Sequence, residues 1–343
     1  MAAERALEEG HTHYTEDKGI PALRRAIAEK ENMKARADIS EEQVLVTPGA
    51  TGALFAACMS LIDCGDEVII QAPSYPGHIR AVTVSGGKPV PVSLEEDYDF
   101  VMNLDELDEK VTSKTKVIIV SSPTNPTGTV FERDVLKAIV EIAVDNELFI
   151  VSDEVYEHFV YDDAEFGSVR EFPGMEHRTV LVNSFSKTYA MTGWRIGYAI
   201  APKEITSRMA KFSCASSMCV NSIAQYGALA ALEGPQKCVD AMLTEYDERR
   251  RFVVKELSKI PGVRFVEPKG AFYVFPNVEE LEMNSLELVK YLVREARVLL
   301  SPGYPFFGSK GRFHVRLSYT ASLNALRIAM ERINSALREL EGT

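Results

Sequence analysis

Nowhere in this sequence does an apolar run approach the roughly 20 residues that a membrane-spanning helix requires, so no transmembrane segment is predicted. The opening segment, Met1-Ala2-Ala3-Glu4-Arg5-Ala6-Leu7-Glu8-Glu9, is acidic and helical in pattern, unlike a secretory signal. Cysteine is sparse. Cys58, Cys64, Cys214, Cys219 and Cys238 include no CxxC pair, and their number is odd. Placed in apolar segments, they read as reduced core thiols and predict a cytoplasmic protein. His11 and His13 lie close together but have no further Cys or His at ligand spacing, so no metal site is predicted. Positive charge is in deficit: 38 Lys and Arg against 50 Asp and Glu leave a net charge of −12. That balance argues against nucleic acid or an anionic membrane as the main partner. It leaves room for a local cationic pocket. Internal repeats and low-complexity tracts are absent.

What remains is an ordinary globular composition, 46% hydrophobic and 26% charged over 343 residues. The length suits two domains. Helical and strand patterns alternate through the first two-thirds. Helices are predicted over 21–34, 51–62, 132–145 and 203–214, with strands at 67–70, 89–92, 116–121, 148–152, 180–183 and 196–200. Short β-rich apolar runs separated by helices predict an α/β fold: a mainly parallel sheet covered on both faces. A long helix over 236–259 leads into shorter elements at 271–275, 285–295, 298–301, 313–318 and 322–340. These predict a smaller C-terminal α+β domain. The expected division is 1–245 and 246–343.

In such sheets, ligands collect beyond the carboxyl ends of the strands. Three polar groups fall there: Asn125 after one strand, Asp153 after a second, and Ser184 to Lys187 after a third. Lys187 follows two serines and precedes Arg195, which is flanked by Gly193 and Gly197. Lysine can form an imine with a carbonyl compound, and arginine with serines can hold a phosphate. Taken alone, a lysine among serines is as readily a solvated loop residue, and Asn125-Pro126-Thr127-Gly128 as readily a plain turn.

The motifs in order are more specific. They are Tyr14-x4-Gly19-Ile20-Pro21-x-Leu23-Arg24, Pro48-Gly49-Ala50, Asn125-Pro126-Thr127-Gly128, Asp153-Glu154-Val155-Tyr156, Ser184-Phe185-Ser186-Lys187 and His314-Val315-Arg316. Over nearly the whole chain this set resembles the class I/II aminotransferases, fold-type-I enzymes that use pyridoxal 5'-phosphate. The resemblance implies a large domain with a seven-stranded, mainly parallel sheet and a smaller C-terminal domain. It implies that Lys187 forms the Schiff base, that Asp153 pairs with the pyridine nitrogen, and that Asn125 and Tyr156 bond the phenolic oxygen. Tyr75 matches the aromatic that stacks on the ring. Amides at Gly49, Ala50 and Thr51, with Ser184, Ser186 and Arg195, match the phosphate ligands. Tyr14 matches a tyrosine reaching the phosphate of a neighbouring subunit, which implies a homodimer. Arg316 matches the substrate α-carboxylate site, and Asn125 is implied as a second substrate-binding residue.

The implied reaction moves an amino group from an L-amino acid to a 2-oxo acid by a ping-pong route. A related C–S lyase or an aminocyclopropane-carboxylate-synthase-like enzyme would use the same residues. A cofactor-binding domain of a transcription regulator fits poorly with an acidic chain that leaves no room for a DNA-binding module. The aromatic stretch Tyr304-Pro305-Phe306-Phe307 favours apolar or aromatic substrate side chains. Family members usually carry some tens of residues before the helix leading to the Tyr14 motif, whereas this chain begins almost at that helix. With that leader absent, a more open substrate pocket is expected.

Overall fold

The computed structural model describes residues 1–35 and 38–341. Seven strands form the main sheet: β1 (Val44–Thr47), β2 (Glu67–Ala72), β3 (Lys88–Ser93), β4 (Thr115–Ser121), β5 (Phe149–Asp153), β6 (Thr179–Ser184) and β7 (Gly197–Ile200). Their spatial order is β1-β7-β6-β5-β4-β2-β3. The pairs β3/β2, β2/β4, β4/β5 and β5/β6 are parallel, and β7 runs antiparallel to both β6 and β1.

Both faces of this sheet are covered, which explains why its strands read as unbroken apolar runs. Alternate residues of one strand enter different cores. Val117 and Ile119 of β4 pack with the helices Gly49–Leu61 and Lys203–Ser217, whereas Ile118 and Val120 pack with the helix Arg133–Asp145. Six of the seven strands are foreseen by the sequence pattern. The exception is β1. Its four buried residues, Val-Leu-Val-Thr, are too few to show a period, and it joins the sheet only through the distant β7, with Val44 opposite Ile200. The helices Pro76–Val84 and Ser222–Glu233 are also unforeseen.

The helix Lys237–Leu257 runs through position 245 and leads into a second sheet. Strands β8 (Tyr273–Val274), β9 (Ser301–Pro302) and β10 (Val315–Ser318) pair antiparallel in the order β8-β10-β9. These strands are shorter than their patterns suggest. Ala271, at φ +56°, breaks the extended backbone before β8. Helices Ser285–Glu295 and Leu323–Glu341 cover this sheet through Leu288, Leu292, Met330 and Ile333. The same core takes in Tyr156 and Phe159, which follow β5, so the second sheet sits against the end of the first.

The cysteine expectation needs correction. Cys58 is buried, but Cys64 and Cys238 are exposed and Cys214 and Cys219 are half-buried. Cys214 and Cys238 lie on helices and Cys64 and Cys219 just past helix ends, where a side chain need not face the core. All five are free.

Candidate active site

Parallel strands deliver their last residues to one edge. Ser121 ends β4 opposite Asp153, which ends β5, and Asp153 in turn lies opposite Val182 of β6. Beyond this edge opens a cavity of about 340 Å³. Asp153, Tyr156, Asn125 and Lys187 line it from the sheet side. Ala50, Thr51, Ser184, Ser186 and Arg195 line one end, Arg316 the other, and half-exposed Tyr75 borders it.

Lys187 sits on a single helical turn, Phe185–Thr188, started by β6. The Ser184 hydroxyl caps that turn by accepting the Ser186 amide at 3.1 Å. The lysine Nζ lies 5.7 Å from the Tyr156 ring centroid and 5.6 Å from that of Phe272. Burial pushes its amine below the ordinary lysine value. Asp153 opposes that shift, and the cations of Arg316 and Arg195 add to it. Lowering the pKa raises the share of neutral amine, the form able to attack a carbonyl or accept a proton.

The helix Gly49–Leu61 opens into the same end of the cavity with no side-chain cap among the described residues, and the N–H groups of a first helical turn have no intrahelical partner. Gly49 has φ +73°, and a Cβ there would stand 2.6 Å from Arg195 Nη2. A Cβ on Gly197 would stand 2.7 Å from the Asn183 carbonyl and from Gly49 backbone. Two glycines thus bring Arg195 onto the helix start, whose free amides and dipole favour an anion. Arg195 itself takes φ +51° and donates to the Thr192 carbonyl at 2.8 Å.

At the far end, Arg316 projects from β10. Its Nη1 donates to Asn125 Oδ1 at 2.9 Å, and Nη2 approaches Ser301 Oγ at 3.4 Å. Among the described residues its Nε is buried without a partner. The guanidinium lies between the rings of Tyr273, at 4.5 Å, and Phe306, at 4.7 Å. A buried donor left open on a planar fork suits a carboxylate.

The match to known proteins agrees with this arrangement. The family model for "Aminotransferase class I and II" matches residues 1–333. The chain belongs to the class I and II aminotransferases. It is 42% identical to the aspartate aminotransferase of Pyrococcus abyssi over 341 residues, 98% of this chain and 87% of that one. To the aromatic-amino-acid aminotransferase 2 of Thermococcus litoralis it is 38% identical, over 98% of this chain and 87% of the other. The crystal structure of an aromatic aminotransferase from Pyrococcus horikoshii OT3 superposes with a TM-score of 0.96 at 40% identity, covering 100% of this chain and 92% of that one.

This aminotransferase gathers eleven of the thirteen sequence-derived candidates around the cavity. Gly49 lies behind Arg195, as described. Tyr14 does not line the cavity. It is 82% exposed, in a surface groove with His13, Asn221 and Ser222.

Other residues escaped the sequence reading. His78, fully buried on the helix Pro76–Val84, puts Nε2 2.9 Å from Asp153 Oδ2 and holds the carboxylate in place. Its spacing of three from Tyr75, the residue capping that helix, would have signalled that the two lie close. Tyr273 and Ser121 line the cavity from strands, and Thr192 from the 3₁₀ turn Thr192–Trp194 before Arg195. The Tyr273 hydroxyl is 3.0 Å from that of Tyr156, whose phenol burial pushes well up.

Behind Asp153 lies a buried ionic cluster. Glu157 receives Lys30 Nζ at 2.6 Å, Asn183 Nδ2 at 2.9 Å and Lys34 Nζ in a short contact. Lys34 also approaches Glu154 at 3.4 Å, while Ser152 and Ser168 donate to Glu154 Oε1 at 2.9 and 2.6 Å. The cluster ties the segment after β5 to the helix Pro21–Ala35. Among the described residues no helix is long and apolar enough to cross a membrane.

Proposed function

We propose that this aminotransferase uses pyridoxal 5'-phosphate and moves the amino group of L-aspartate or an aromatic L-amino acid to a 2-oxo acid. The observation that carries the reading is the convergence of Lys187, Asp153, Arg195 and Arg316 on one cavity at the strand ends. The residues fit the cofactor. A helix start joined by an arginine suits a phosphate, a buried carboxylate fixed by His78 suits a protonated ring nitrogen, and a half-buried lysine with a depressed amine lies between them.

When bound, the cofactor supplies an electron sink for the charge left at the substrate α-carbon. Asp153 would hold the ring nitrogen protonated. Ser184, Ser186, Arg195 and the Ala50 and Thr51 amides would take the phosphate, Tyr75 the ring face, and Asn125 and Tyr156 the phenolic oxygen. Lys187 would be the covalent attachment point. Its amine, once free, would move a proton from the substrate α-carbon, a role worth about 10²–10⁴-fold in rate. Arg316 would grip the α-carboxylate with its guanidinium and so fix which α bond faces the sink.

Two donor classes stand together because relatives named for aspartate and for aromatic amino acids match at similar identity. Tyr75 and Tyr273 give the cavity aromatic walls suited to the second class. We further propose a homodimer in which Tyr14 reaches the partner's phosphate site. Its exposure supports this, as does its groove: Asn221 lines both that groove and a second one that reaches Arg195.

The test is a donor and acceptor panel on purified protein, following cofactor absorbance. Aspartate or an aromatic donor should yield its 2-oxo acid together with stable pyridoxamine phosphate. Borohydride should trap cofactor on wild type and not on Lys187→Ala. A covalent adduct in that variant, or oxo-acid release without pyridoxamine phosphate, refutes the assignment.

A further inference from the structure

We propose that Tyr273 is a positioning residue that links the two ends of the site, an inference that rests on the pyridoxal-phosphate reading above. Tyr273 is buried on β8 opposite Ser318 of β10, two residues beyond Arg316 on the same strand. Its ring and its hydroxyl have different partners. The ring face meets the Arg316 guanidinium, with Cζ 4.5 Å from the centroid. The hydroxyl meets the Tyr156 hydroxyl at 3.0 Å. One side chain therefore touches the group assigned to the substrate carboxylate and the group assigned to the cofactor's phenolic oxygen.

Proton counting gives the hydroxyl contact a direction. A phenol has one proton to donate and can accept through its oxygen. In the isolated pair either may donate. With Tyr156 donating its hydrogen bond to an oxygen of the cofactor, Tyr273 would have to donate to Tyr156. Hydrogen bonds in a chain polarise one another, so this second bond strengthens the first. Removing it leaves more negative charge on the cofactor oxygen and raises the proton affinity of the nitrogen that joins Lys187 to the cofactor.

The ring contact does separate work. The Arg316 guanidinium lies against both the Tyr273 and the Phe306 rings, which restrict its rotation and hold the group at the cavity wall. Phe306 also ties this stack to the loop of Tyr75, because its carbonyl accepts the Ser74 amide at 3.0 Å.

The two jobs separate by mutation. Tyr273→Phe keeps the ring and removes the hydroxyl, whereas Tyr273→Leu removes both. Each variant and the wild type are loaded with pyridoxal phosphate, and the visible absorbance is titrated against pH without substrate. The midpoint in Tyr273→Phe should rise by about 0.3–0.5 pH unit, with KM for the amino donor within about twofold. Tyr273→Leu should show the same rise and a KM about fivefold higher, the worth of one cation–π contact. In a Tyr156→Phe background, Tyr273→Phe should no longer move the midpoint, a dependence that a purely structural role would not show. An unchanged midpoint in Tyr273→Phe, with normal wild-type titration, overturns the inference and leaves the cofactor reading intact. A wild type that takes up no cofactor, or whose absorbance does not titrate, overturns both.

Discussion

Glu157→Gln isolates the ionic cluster behind the site with almost no change of shape. The wild-type carboxylate is buried and accepts from Lys30, Lys34 and Asn183. Burial pushes its carboxyl up, but the Lys30 and Lys34 ammonium groups outweigh that and hold it well below the usual range. The amide removes the shared counter-ion. Lys30 keeps Glu31, at 3.6 Å, and the Tyr198 hydroxyl, at 3.4 Å, and Lys34 keeps Glu154, at 3.4 Å. Breaking a buried pair from one side costs about 3–5 kcal/mol. The lysines retain 22% and 27% side-chain exposure and partial pairing, so the lower end, about 3 kcal/mol, is the expected loss. At roughly 2 °C per kcal/mol for a chain of this size, the melting temperature should fall by about 6 °C at neutral pH.

The pH dependence carries the sharper test. A carboxyl whose folded pKa is depressed stabilises the fold above its unfolded value, about 4.3, and loses that contribution as pH falls toward its folded value. The gap between wild type and Glu157→Gln should therefore be full at pH 7 and narrow below about pH 4. At Glu154, burial wins over Lys34 and pushes the carboxyl up. That group is present in both proteins, so the difference curve reports chiefly on Glu157. Calorimetry of both proteins from pH 3.5 to 8 measures it. A gap of equal size at every pH would mean that packing, not charge, accounts for the loss, and no gap at pH 7 would refute the pairing argument outright.

Three further outcomes are expected. Arg316→Lys replaces a planar fork by a point charge and gives up one charge-assisted hydrogen bond of about 1.5–3 kcal/mol, so steady-state kinetics should show KM for the donor raised about 10–150-fold. Gly49→Ala must hold a left-handed φ, costing about 1–2 kcal/mol, and must push Arg195 off the helix start; cofactor dissociation, followed by absorbance on dialysis, should be at least tenfold easier. If Tyr14 serves the partner's site, mixing Tyr14→Ala with Lys187→Ala chains should restore one intact site per heterodimer, and activity should rise above the sum of the two parents; no rise would place Tyr14 outside the partner's site.

The chemistry-bearing residues were readable because a parallel sheet writes its site at strand ends. Asn125, Asp153 and Lys187 each follow an apolar run, and the runs are buried on both faces, so their pattern is strong. What fixes those residues was not readable in the same way. His78 meets Asp153 across 75 positions, Tyr156 meets Tyr273 across 117, and Lys30 meets Glu157 across 127. No local period encodes such pairs. Each partner taken alone is an ordinary helix histidine, strand tyrosine or surface lysine, and β1 was lost for the same reason. The stretch Asp153-Glu154-Val155-Tyr156-Glu157 joins both kinds of information. Asp153 and Tyr156 face the cavity, whereas Glu154 and Glu157 bind the lysines of the helix Pro21–Ala35. A turn with chemistry on one side and buried charge on the other is held from behind. Loosening Glu157 should therefore cost stability first and cofactor geometry second, through the same five residues.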